Sequence, residues 1–133
     1  MKKKGVTLIE TIVSLMILVL VMTMFATLVK DYSANIYSRK IKERLSRVSY
    51  CVMNELKYNF TKENIMLQSN TNKIELKNYE NILEDLKYKS LFELDRGNGI
   101  TVLFNNKKDE SLEIKITIYE DGFIEERECI KWR

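Results

Sequence analysis

The chain has 133 residues, 45% hydrophobic and 31% charged, a balance that fits one small folded unit rather than a disordered or low-complexity segment. It contains no His, two Cys, four Gly and no Pro, which removes imidazole acid–base chemistry, Ser–His and Cys–His dyads, His-ligated metals and a Cys-only zinc site. The net charge of +3 is carried by Lys2, Lys3 and Lys4; from Val6 onward the two signs balance, which does not suit a protein that holds nucleic acid by its overall charge. The signs are nonetheless segregated. Residues 30–62 carry eight basic and three acidic side chains, whereas residues 63–133 carry eleven basic and fifteen acidic ones. Opposite halves of this kind suit contacts between subunits, head against stem.

The three lysines precede an apolar run. Thr11 to Val29 is 19 residues without a charge, fifteen of them apolar and the rest Thr11, Ser14, Thr23 and Thr27. At about 1.5 Å per residue a helix of this length approaches the ~30 Å hydrocarbon core of a bilayer. The lysine cluster places the N-terminus in the cytoplasm. No small-residue cleavage pattern follows the run, which ends in Lys30-Asp31-Tyr32-Ser33-Ala34-Asn35, so an ordinary secretory signal is not expected. Glu10 sits among Val6, Leu8, Ile9 and Ile12. A carboxylate there either marks the helix start, where it favours the macrodipole, or has a cationic partner such as an exposed α-amine.

Beyond the run, Tyr37, Ile41, Leu45, Val48, Val52, Leu56 and Phe60 recur every three or four residues and predict an amphipathic continuation of the same helix to about residue 60. Arg39, Lys40 and Arg47 fall opposite this stripe and Arg44 on its flank. The basic side is expected to be solvated or to meet another subunit, not DNA. Tyr32, Tyr37, Tyr50 and Tyr58 are expected to pack on the stem. Thr61 and Lys62 end the pattern. Lys73 to Lys77 is a weak strand candidate, and Tyr79, Ile82, Leu83 and Leu86 match a short helix. Arg96-Gly97-Asn98-Gly99 is a turn, Ile100 to Phe104 a strand, and Asn105 to Glu110 a polar loop. Leu112, Ile114, Ile116 and Ile118 alternate with polar residues as a half-buried strand, and Glu120-Asp121-Gly122 turns the chain into a hairpin partner from Phe123 to Ile130. Glu120, Asp121, Glu125, Glu126 and Glu128 match no calcium-loop spacing and are expected on a solvated hairpin face. The fold class is therefore α+β: a long N-terminal helix packed on a small antiparallel sheet.

Lys4-Gly5-Val6-Thr7-Leu8-Ile9-Glu10, followed by the apolar run, resembles the class III signal of type IV prepilins and pseudopilins. The resemblance covers about residues 1–35. It implies that a prepilin peptidase cuts after Gly5 and methylates the new N-terminus at Val6. It also implies that Glu10, the fifth mature residue, pairs with the Val6 amine of a neighbouring subunit during assembly. Val6 stands where the family usually has Phe or Met, and the helix-kinking Pro of many major pilins is absent. The Glu is often missing from the tip subunits of related secretion pseudopili, so its presence argues against that role.

The implied organisation is a cleaved leader at 1–5, a transmembrane and filament-core helix at 6–29, an amphipathic stem at 30–60 and a pilin-like α+β extracytoplasmic head at 61–133. The implied function is that of a minor pilin or pseudopilin, held in the membrane and then assembled with other pilin subunits into a surface filament. It is not an enzyme, and no cofactor, metal or direct nucleic-acid contact is expected. The alternative is an unprocessed, membrane-anchored binding or sensor module. Cys51 and Cys129 are either a disulfide, which would close a long loop outside the membrane, or two buried thiols.

Overall fold

The computed structural model describes residues 8–69, 72–107 and 111–132. The chain divides into two compact units, residues 1–39 and 40–133. Helix α1 (Leu8–Asn54) contributes to both. The described part of the first unit is helix throughout, its large apolar side chains exposed from Leu8 to Tyr37. Its hydroxyls are turned back onto the backbone. Thr11 and Ser14 donate to the carbonyls of Leu8 and Glu10 at 2.7 Å, and Thr23 and Thr27 to those of Leu20 and Met24 at 2.8 Å. A hydroxyl left without a partner in an apolar medium costs several kcal/mol, so these bonds make the helix compatible with lipid.

In the second unit, α1 presents Ile41, Leu45, Val48, Ser49, Val52 and Met53 as a buried stripe. The helix then widens into one π-helical turn (Glu55–Asn59), which buries Leu56. Phe60 is extended, and Thr61 starts a second helix rather than a loop. Its Oγ1 accepts from the Asn64 amide at 3.3 Å and caps α2 (Lys62–Gln68). Strand β1 (Lys73–Lys77), helix α3 (Ile82–Tyr88) and a 3₁₀ turn (Leu91–Glu93) follow. The 3₁₀ turn is held by a capping box between Ser90 and Glu93. Strands β2 (Gly99–Asn106), β3 (Ser111–Glu120) and β4 (Phe123–Trp132) complete an antiparallel sheet of order β1-β2-β3-β4.

The alternation expected in β3 sets the layers. Ile74 and Leu76 of β1, Ile100, Val102 and Phe104 of β2, and Leu112, Ile114, Ile116 and Ile118 of β3 form one core with the α1 stripe, Ile65, Ile82 and Leu91. The β3–β4 turn has two residues, Asp121 (φ 48°) and Gly122 (φ 82°), with Glu120 opposite Phe123. Two successive left-handed residues make the type I′ turn that matches strand twist, which is why Asp-Gly stands there. The outer edge of β1 is covered: the Lys77 amide donates to Asp95 O at 3.0 Å, and Leu76 bridges Arg96. Arg96 to Gly99 thus turns the chain back along β1, as expected.

Two expectations need correction. Tyr32, Tyr37, Tyr50 and Tyr58 are all exposed: Tyr32 and Tyr37 precede the core, which begins at Ile41, and Tyr50 and Tyr58 are not among the buried residues of the stem. The acidic hairpin is not all solvated: Glu120 faces α1, and Glu125 shares its side of β4 with Arg127. β4 is the hairpin partner expected from Phe123 onward, and its helix-facing side is largely polar (Phe123, Glu125, Arg127, Cys129 and Lys131).

Tyr79, half-buried beside α3, donates its hydroxyl to Asp85. That bond, followed by burial and the charges of Asp85 and Asp95, pushes the phenol up to about 12. A raised value stabilises the fold fully below the ordinary 10.0 and is lost as pH climbs through about 12. Alkaline titration of phenolate absorbance should show one of the seven tyrosines ionising near 12. Asp85→Asn should return it toward the others; an unchanged profile would refute the assignment.

Candidate processing and assembly segment

Gly5 and Val6, the expected cleavage pair, lie outside the described residues, as does the leader at 1–5. Glu10 stands in the first turn of α1, where a carboxylate favours the positive end of the helix dipole. Its own carbonyl receives the Ser14 hydroxyl, so the backbone here is doubly tied, and the helix around it presents an exposed apolar surface. That surface is continuous: Ile9, Ile12, Leu15, Met16, Leu18 and Val19 are all at least half exposed. Among the described residues there is one helix long and apolar enough to cross a membrane, and it lies near the N-terminus.

The second unit fastens its helices to its sheet with polar joints of long sequence separation. Arg44, expected on the flank, reaches Glu120 at the β3–β4 turn and donates to the Tyr79 carbonyl; Glu120 in turn accepts from Asn78 at 3.1 Å. The Arg127 guanidinium donates to Ser46 Oγ at 3.2 Å and lies over the Tyr50 ring. Lys131 is buried at the far end. Its ammonium donates to the carbonyls of Leu56 at 2.8 Å, Lys57 at 2.7 Å and Phe60. The last carbonyls of a helix have no partner within it and carry the negative end of its dipole, so a cation there both pairs them and neutralises the field. Burial pushes the Lys131 ammonium down from its ordinary value.

Both cysteines are unbonded. Cys51 is exposed and lines a hollow with Leu83 and Leu86 of α3, so it does not face the sheet. Cys129 lies half-buried on the helix-facing side of β4, and burial pushes its thiol up against the opposing effect of Lys57 and Lys131.

Lys131, Arg127 and Glu120 were missed as structural residues, although a signal for them was present. A two-residue turn puts Glu120 opposite Phe123, and parity then sends every second residue from Phe123 onward toward α1. The partners on α1 carry no comparable signal.

Residues 1–26 match the family model described as the prokaryotic N-terminal methylation motif, the class III signal of type IV prepilins and pseudopilins. The match spans the basic leader, Gly5, Glu10 and most of the apolar run. No curated protein and no solved structure matches the chain.

Proposed function

From an N-terminus that carries the class III signal, we propose that this type IV pilin-like protein is a minor pilin or pseudopilin, a structural filament subunit and not an enzyme. A prepilin peptidase cuts after Gly5 and methylates Val6. The apolar helix holds the subunit in the membrane, with the leader cytoplasmic and the head outside, until it joins other subunits in a type IV pilus, a competence pseudopilus or a type II secretion-like filament. The observation that carries the reading is the motif at residues 1–26, which leads into an apolar helix that the described structure continues without a break into the second unit.

The physical roles follow. Glu10 in lipid is costly alone, and a methylated amine at Val6 of a neighbouring subunit offsets that cost by pairing with it. The same pairing aligns one helix against the next. The test is the intact mass and N-terminal sequence of the chain co-expressed with a prepilin peptidase. The expected product lacks its first five residues and begins at N-methylated Val6. A product that still begins at Met1, beside a control substrate that is cut, would favour a membrane-anchored binding or sensor module instead.

A further inference from the structure

The outer side of the second unit carries two surfaces that complement each other, and they lie on different elements. The first is a groove between α1 and α3 made of two adjoining hollows, of about 250 and 360 Å³, which share Arg47 and Leu83. Lys40 and Arg47 line its first part, and Leu86 and Cys51 its second. Glu43 neutralises one of those two cations through its 2.5 Å pair with Arg47, which leaves the rim net positive. The second surface is the outward row of β4, where Glu126 and Glu128 are followed by Ile130, 44% exposed. Both carboxylates reach the single ammonium of Lys115, each at 3.2 Å, so this row keeps a net negative charge.

The outward row of β4 sets Glu126 and Glu128 between exposed apolar side chains, Ile124 on one side and Ile130 and Trp132 on the other, and the groove sets its cations Lys40, Arg47 and Lys87 around Leu83 and Leu86, so opposite charges and apolar centres face each other. The lengths of the two surfaces agree as well. Lys40 to Cys51 extends about 16 Å along a helix, and Glu126 to Ile130 about 14 Å along a strand. β4 is the sheet edge left open, since 95–97 cover the edge of β1.

We propose that the α1–α3 groove receives the outward row of β4 from a second copy of this chain, with Glu126 and Glu128 against Lys40 and Arg47, and Ile130 on Leu86 beside Cys51. The two surfaces are different patches of one molecule, so the contact is heterologous. Unlike a two-fold interface it leaves a groove and a strand unused at the ends of every pair, and it propagates as an open chain. This rests on the filament reading and adds to it the surfaces by which the heads meet. Charge complementarity fixes the register of the contact, and the apolar pair supplies the desolvated centre.

The native thiol of Cys51 makes the contact testable. The full chain carrying Cys129→Ser and Ile130→Cys, in membranes that contain a prepilin peptidase, should give a ladder of disulfide-linked dimers, trimers and larger species under mild oxidation. Adding Cys51→Ser should remove the ladder. Arg47→Glu should reduce it at least tenfold, and Arg47→Glu with Glu128→Arg should restore it. A ladder indifferent to Arg47→Glu, or dimers alone, would overturn the heterologous contact. So would monomers only, from a chain that begins at Val6 and enters filaments. The N-terminus of the same sample reports on the filament reading separately. A charge-dependent ladder from a chain still beginning at Met1 would uphold the groove contact and overturn processing.

Discussion

Gly5→Leu is expected to leave the chain uncut, five residues longer than the mature form and retained in the membrane with its lysine leader. A peptidase that cuts after Gly must draw the backbone close to its own catalytic groups, and a branched side chain at that point blocks the approach. The effect is all-or-none in a gel shift or an intact-mass spectrum. Glu10→Ala makes the contrasting case. It leaves the cleavage site whole, so it should be cut normally and fail afterwards, accumulating as mature subunit in the membrane fraction. If Gly5→Leu is cut like the parent, residues 1–26 are not used as a processing signal. If Glu10→Ala enters filaments normally, the amine–carboxylate pairing is wrong while the processing stands.

Lys131→Met is expected to destabilise the second unit by about 2–4 kcal/mol, the range for losing charge-assisted hydrogen bonds and stranding their buried acceptors. Three carbonyls lose their donor together, those of Leu56, Lys57 and Phe60, and the methionine keeps the packing of the stem without its charge. In a domain of this size each kcal/mol lowers the midpoint of thermal unfolding by about 4–8 °C. Circular dichroism of the full chain in detergent micelles would record the shift. Hydrogen exchange should place the loosened amides in the turn Glu55–Asn59 and in β4. A variant within about 0.5 kcal/mol of the parent, the usual range for surface changes, would mean that water replaces the ammonium without loss.

What could be read from the sequence and what could not divide along a physical line. The stem was legible because Ile41, Leu45, Val48, Val52 and Leu56 repeat at the helical period, and each of them is buried. β3 was legible because its apolar residues alternate, and the hairpin because Asp-Gly dictates a type I′ turn. These signals are local, within one element or one turn. Helix α2 was missed because its start depends on the Thr61 cap, a residue read only as the end of the preceding pattern. Ser49 and Met53 were missed as core because the stripe is two residues wide there. The polar joints join residues far apart in the chain, Lys131 with Leu56 at 75 positions, Arg44 with Glu120 at 76 and Arg127 with Ser46 at 81, and hydropathy assigns each of those charges to solvent. The candidate site shows the reverse balance. Gly5, Val6 and Glu10 stand out by sequence spacing, and the fold adds the helical setting of Glu10 alone.

The turned-back hydroxyls of Thr11, Ser14, Thr23 and Thr27 bear on how such a helix changes surroundings. A polar group that leaves water or a protein partner behind must be compensated in its new environment, and each such exchange raises a barrier. Here every one of those donors is already spent on a carbonyl three or four residues earlier in the same helix. Passage from a lipid neighbourhood to one of packed helices then breaks none of these bonds and requires no new one. Under the proposed filament role, the helix can be drawn out of a bilayer and into a bundle, or returned to it, with side-chain fit and the proposed pairing of Glu10 as the features that tell the two places apart.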